Sequence, residues 1–104
     1  MEKILLDTDI GGDIDDAICL GYLLSEPKCN LLGITTVCGE SEKRASVADA
    51  ICRTTGKSVP IVAGLDISMQ PIPVYPTPDG AAALKNWKHS EFTKGNAAVP
   101  QKCR

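Results

Sequence analysis

The stretch Lys3-Ile4-Leu5-Leu6-Asp7-Thr8-Asp9-Ile10-Gly11-Gly12-Asp13-Ile14-Asp15-Asp16-Ala17 decides how the rest of the chain is read. An apolar run ends in an acidic, glycine-containing turn, and a second apolar run, Ala17 to Leu24, follows. That order predicts a strand, a loop and the start of a helix. Asp7, Asp9, Asp13, Asp15 and Asp16 gather like charges that a helix N-terminus compensates only in part. A bound divalent cation is the natural remedy.

The alternation continues outward from this stretch. Lys3 to Leu6 reads as a buried strand and Asp13 to Ser25 as a helix, apolar on most sides and stopped by Pro27. Leu31 to Val37, with Ile34, Thr35, Thr36 and Val37, carries the β-branched bias of a second strand. Ser41 is placed to cap a second helix whose Ala45, Ala48, Ile51, Cys52 and Thr55 share a face and whose stop is Gly56. Val59 to Ala63 reads as a third strand. Strand, helix, strand, helix, strand predicts an α/β fold, an open parallel sheet with flanking helices and right-handed crossovers.

After Gly64 the texture changes. Pro71, Pro73, Pro76 and Pro78 make 66–79 a proline-rich loop. Thr77 and Pro78 then open a third helix running towards His89, and 93–104 reads as a frayed tail. The whole chain, 1–104, is expected to be a single domain.

Composition narrows the function classes. With 104 residues, 43% of them hydrophobic, 23% charged, and a net charge of −2, the chain has no basic field for nucleic acid or membrane. Its longest apolar stretch is much too short to span a bilayer, so a cytoplasmic protein is expected. The five cysteines form no C-x-x-C pair. Cys19 and Cys52 read as small buried hydrophobes on helix faces. His89, the single histidine, reads as part of a solvated helix end.

In an open parallel sheet, ligands bind beyond the carboxyl ends of the strands, and that is where the first strand delivers Asp7 and Asp9 and the second Cys38-Gly39-Glu40. Gly11 and Gly12 permit the chain to fold back around an ion. Asp15 and Asp16 point roughly 100° apart in the first helical turn, so one can bind metal while the other faces a substrate. A calcium loop of the D-x-D-x-[DN]-G type matches Asp7, Asp9 and Gly12. It fails where Gly11 replaces the third ligand and Ile18 the terminal glutamate. A haloacid-dehalogenase-like phosphatase would use Asp7 as nucleophile and Asp9 as acid, but leaves Asp13, Asp15 and Asp16 without work.

Lys3 to Ala17 resembles the N-terminal signature of the inosine-uridine-preferring nucleoside hydrolases, in the branch spelled D-T-D-I-G-G-D-I-D-D-A. Gly33-Ile34-Thr35-Thr36-Val37-Cys38-Gly39 and Val59-Pro60-Ile61-Val62-Ala63-Gly64 are similar to that family's second and third strands. The resemblance implies calcium-dependent hydrolysis of the N-glycosidic bond of ribonucleosides. Asp9 and Asp16 would be calcium ligands, Asp9 would also take the proton of the attacking water, and Asp15 would hold the ribose hydroxyls. Glu40 stands where many members carry a ribose-facing asparagine and is a candidate substrate contact; Asp7 and Asp13 are left supporting or helix-capping parts.

Family members are much longer than this chain. The resemblance therefore implies that further calcium ligands, much of the ribose site and the leaving-group acid lie beyond Arg104, as in an N-terminal fragment. No ribose release is expected from these residues alone. A non-catalytic remnant that binds a cation, or that self-associates through an open sheet edge, is the alternative expectation.

Overall fold

The computed structural model describes residues 1–64 and 79–93. Its elements are β1 (Glu2–Thr8), α1 (Ile14–Ser25), β2 (Cys29–Thr36), α2 (Ser41–Thr54), β3 (Ile61–Ala63) and a 3-10 helix (Asp79–Asn86). The three strands are parallel in the order β1-β2-β3. β1 is in register with β2 from Glu2 opposite Cys29 to Thr8 opposite Thr36, with Leu32 as an extra residue where the register shifts. The expected α/β architecture is therefore present.

Two right-handed crossovers running in one direction put α1 and α2 on the same face of the sheet, and the helices touch each other there. Ile4, Leu6 and Thr8 turn towards them, whereas Lys3, Leu5 and Asp7 are exposed on the other face. Leu5 is 77% exposed, so the strand expected to be buried on both faces is covered on only one by the described residues. The core between sheet and helices holds Leu20 and Leu24 of α1, Ile34 and Ile61 of the sheet, and Ala45, Ala48 and Cys52 of α2.

Most of α2 is buried, because its second side meets the segment that follows the 3-10 helix. Ser46, Asp49 and Arg53 share that side, as their spacing requires. Asp49 Oδ2 accepts from the Ser90 backbone N–H at 2.7 Å and from Arg53 Nε at 2.9 Å; Ser46 Oγ donates to Ser90 O at 2.9 Å. This polar staple and Phe92 fasten residues 90–92 to the domain.

Four local expectations are corrected. Ser41 does not cap α2: Glu40 occupies the N-cap in the left-handed region (φ 57°), and the Ser41 hydroxyl donates to Gly64 O at 2.7 Å instead. Cys19 is exposed, because the sheet and α2 engage the Leu20–Leu24 side of α1 and leave its opposite side to solvent; Cys52 is buried as expected. α1 is not apolar towards protein on most sides, since Ile14, Ile18 and Tyr22 are exposed. The third helix is of the 3-10 type and ends at Asn86, short of His89. The proline-rich loop, except Asp79, the Thr77-Pro78 helix start and the tail beyond Thr93 lie outside the described residues.

Candidate functional site

Parallel pairing brings the ends of β1 and β2 side by side, so the acidic loop after Thr8 meets the Cys38-Gly39-Glu40 turn at the carboxyl edge of the sheet. Gly11 takes φ 119°, a conformation that side-chain-bearing residues avoid, and lets the chain double back into α1. Cys38 (φ 76°) and Glu40 (φ 57°) are both left-handed non-glycine residues, a local cost that clusters at functional turns. The 3-10 helix arrives at the same place: Gly80 N–H donates to Gly11 O at 2.6 Å. A Cβ at Gly80 would lie 2.9 Å from that oxygen, closer than any side chain tolerates.

The five aspartates part company here. Asp9 and Asp16 come together, near enough that each shifts the other's titration. Thr8 Oγ1 donates to Asp16 Oδ2 at 2.5 Å and accepts from the Ile10 backbone N–H at 3.1 Å, tying the strand end to the first turn of α1. Asp16 is held below the ordinary carboxylate range, chiefly by the Thr8 hydroxyl; burial opposes this, and hydrogen bonds from the Asp9 carboxyl and Asp9 backbone N–H reinforce it. Asp9 moves the other way. Its carboxyl is pushed up, first by the hydrogen bond to Asp16, then by burial and by Asp16's charge, with Arg44 pulling weakly against them. Crowding of two carboxylates is the common cause: each disfavours a second negative charge beside it.

Asp7 goes to the open face of the sheet, where Thr35 Oγ1 donates to its Oδ1 at 2.7 Å. Asp7 and Asp9 thus serve different partners, and the arrangement gives no support to a nucleophile and acid acting together. Asp13 stands at the N-cap of α1 without a capping hydrogen bond from its side chain, and Asp15 is exposed in the first turn. Glu40 Oε1 pairs with Lys43 Nζ at 2.9 Å. Among the described residues no group of three or more His, Cys, Asp or Glu side chains is disposed to hold a metal ion. The Asp9–Asp16 pair is the carboxylate donor set present. Two crowded hard oxygen ligands fit a hard divalent cation, whose charge would relieve their repulsion.

Arg44 was not singled out in the sequence, yet it anchors the site. Only 2% exposed, it sends Nη1 to Asp9 O at 2.7 Å and to Ile10 O at 3.4 Å, while Nε donates to Gly39 O at 2.9 Å. One guanidinium thus joins the two loops that carry Asp9 and Glu40, using the fork geometry that lysine lacks. No periodicity marks it, since it precedes Ala45 on a helix whose neighbours are small. Thr8 was legible only as a β-branched strand residue, although the acidic motif places it between two aspartates. His89 makes contacts away from this pair: Nδ1 lies 2.8 Å from Trp87 O and Nε2 3.4 Å from Glu91.

No helix among the described residues is long and apolar enough to cross a membrane. A family model described as inosine-uridine preferring nucleoside hydrolase matches residues 4–102, nearly the whole chain. No curated protein matches it.

Proposed function

The chain belongs to the inosine-uridine preferring nucleoside hydrolase family, and from that membership we propose that it contributes the water-activating and ribose-holding part of a calcium-dependent hydrolysis of ribonucleosides to free base and ribose. The observation that carries the reading is the Asp9–Asp16 pair, two neighbouring carboxylates at the carboxyl edge of a parallel sheet, with Thr8 Oγ1 donating to Asp16. Asp9 and Asp16 would hold the cation. When bound, it supplies Lewis acidity and charge neutralisation at the attacking water.

The remaining work belongs to the chain's own groups. Asp9, beside the attacking water, takes its proton as the C1′–N bond breaks. Asp15, about 100° around the helix from Asp16, accepts hydrogen bonds from ribose hydroxyls. Glu40, in the turn after β2, would be a second hydroxyl acceptor. Anionic side chains around the sugar also favour the oxocarbenium character of the transition state. Thr8 and Arg44 touch no substrate in this scheme; they fix Asp16 and the Asp9 backbone. The free cysteines Cys19, Cys29, Cys38 and Cys52 suit a cytoplasmic setting.

Calorimetry of the 104-residue chain with calcium, and then with inosine or uridine, run beside an assay for released ribose, tests this reading. The expected result is weak calcium binding lost in Asp16→Asn, then nucleoside binding that requires calcium, without steady ribose release. Absence of calcium-dependent nucleoside binding refutes it. Steady release, abolished by chelator and by Asp9→Ala, would show that these residues carry the complete chemistry and would overturn the assignment of only part of it.

A further inference from the structure

Three successive carbonyl oxygens of the acidic turn are held by donors from outside it. Arg44 Nη1 reaches Asp9 O at 2.7 Å and Ile10 O at 3.4 Å, and the Gly80 backbone N–H reaches Gly11 O at 2.6 Å. Gly11 and Gly12 give the turn little resistance of its own, because glycine is the residue least restricted in backbone torsion. Its conformation, and with it the approach of Asp9 to Asp16, is therefore set by whatever grips its carbonyls. Arg44 grips two of them from α2, and Gly80 grips the third from the 3-10 helix.

The contact at Gly80 is backbone against backbone. A Cβ there would lie 2.9 Å from Gly11 O, 3.4 Å from Gly11 Cα and 3.5 Å from Gly11 C, and none of these atoms can swing aside as a side-chain tip would. Among the described residues the glycines of positive φ are Gly11 and Gly56, so at Gly80 it is the close approach, and not a torsion, that asks for glycine. We propose that Gly80 is a positioning residue for the acidic turn, pressed onto Gly11 O by a 3-10 segment that the Asp49–Ser90 staple anchors at its far end. Only the consequence for calcium rests on the reading of Asp9 and Asp16 as the cation-holding pair.

The segment needs that anchor. A 3-10 helix has poorer hydrogen-bond geometry than an α-helix and is uncommon beyond three or four residues, whereas this one runs for eight. Leu84 packs against the core, and Trp87 N–H donates to Leu84 O at 3.2 Å. Ser90 is then held at three points: Asp49 Oδ2 accepts from its N–H at 2.7 Å, Ser46 Oγ donates to its carbonyl at 2.9 Å, and Arg53 Nη2 donates to its hydroxyl at 2.9 Å. All three of these side chains stand on α2, which also carries Arg44. One helix thus fixes the acidic turn twice, directly through Arg44 and, by way of the 3-10 segment, at Gly80.

Amide NMR and amide exchange of the metal-free 104-residue chain, followed by a calcium titration read on the same amides, test the proposal. In Gly80→Ala, with folding verified by circular dichroism, the amides of Ile10, Gly11 and Gly12 should shift. Protection at position 80 should fall at least about fivefold, the worth of one hydrogen bond. Calcium should bind about tenfold more weakly, as when a group supporting a metal ligand is lost. Gly21→Ala, an equally small change made where nothing lies within 4 Å, should leave the turn's amides at their parent positions. Asp49→Ala should reduce protection at Gly80 as well as at Ser90, and Asp49→Asn, which keeps an oxygen for the Ser90 N–H, should restore most of it. Turn amides unmoved in Gly80→Ala, or Gly80 protection unchanged in folded Asp49→Ala, would overturn the proposal. If the shifts appear while parent and variants alike ignore calcium, the positioning role stands and the cation reading of the pair fails.

Discussion

Arg44→Ala isolates what holds the candidate site together. The guanidinium is 2% exposed and donates to Asp9 O and Gly39 O at 2.7 and 2.9 Å, with a longer contact to Ile10 O. Hydrogen bonds from a charged donor are worth about 1.5–3 kcal/mol each, and removing the donor leaves buried carbonyl oxygens unsatisfied. Relief from burying a charge works in the opposite direction. The net expectation is a loss of about 3–5 kcal/mol, a large share of the roughly 5–15 kcal/mol that stabilises a domain of this size. In urea unfolding followed by circular dichroism, this appears as a lower midpoint; in a thermal scan it is a drop on the order of 15–25 °C. Arg44→Lys should recover only part of the loss, because an ammonium cannot span both loops in the guanidinium's planar geometry. The Arg44 charge also pulls the Asp9 carboxyl down, so a carboxyl-carbon NMR titration of the charge-removing Arg44→Gln should find Asp9 titrating higher than in the parent. A loss under about 1 kcal/mol for Arg44→Ala, with Asp9 unmoved in Arg44→Gln, would refute the claim that this residue positions the site.

Three further perturbations test neighbouring links. Calcium should bind the parent with a dissociation constant on the order of 10⁻⁴–10⁻³ M, as befits few carboxylate ligands, and Asp16→Asn should weaken it beyond calorimetric detection; unchanged binding would remove Asp16 from the cation site. Thr8→Val deletes the donor that chiefly holds the Asp16 carboxyl down and leaves Ile10 N–H without that acceptor, costing about 1–2 kcal/mol at neutral pH. A depressed folded-state pKa adds stability above the unfolded value and loses it as pH falls through the folded one. Part of the gap between Thr8→Val and the parent should therefore close on acidification below the ordinary carboxylate range, as urea melts across pH would read. Asp49→Ala strips the buried acceptor of Ser90 N–H and Arg53 Nε, and should cost about 3–5 kcal/mol while speeding amide exchange at Ser90; protection at Ser90 equal to the parent's would contradict the stapling role.

Some of the site was legible before any coordinates. The motif pairs Asp9 with Asp16, and the fold brings them side by side, because a strand end and the first turn of the next helix are separated by one short glycine turn. Asp7 could not be assigned by the same means. Its position in a D-T-D motif suggests a partnership with Asp9, whereas the strand pleat sends it to the opposite face, onto Thr35. Cys19 failed for a similar reason: helical periodicity marks an apolar stripe without saying which stripe meets the sheet.

What the sequence by itself determined was local and periodic: the order strand, helix, strand, helix, strand, the acidic turn at the carboxyl edge, and the family to which the motif belongs. Those follow from side-chain alternation, turn chemistry and residues adjacent in the chain. Only the tertiary structure decided the contacts between distant residues. Arg44 reaches Asp9 across 35 positions, Asp49 reaches Ser90 across 41, and Gly80 returns to Gly11. It also decided which face of β1 is covered, since both crossovers share one hand and lay their helices on the same side. Such contacts depend on how elements pack in three dimensions, and no window of sequence short enough to show a period contains both partners.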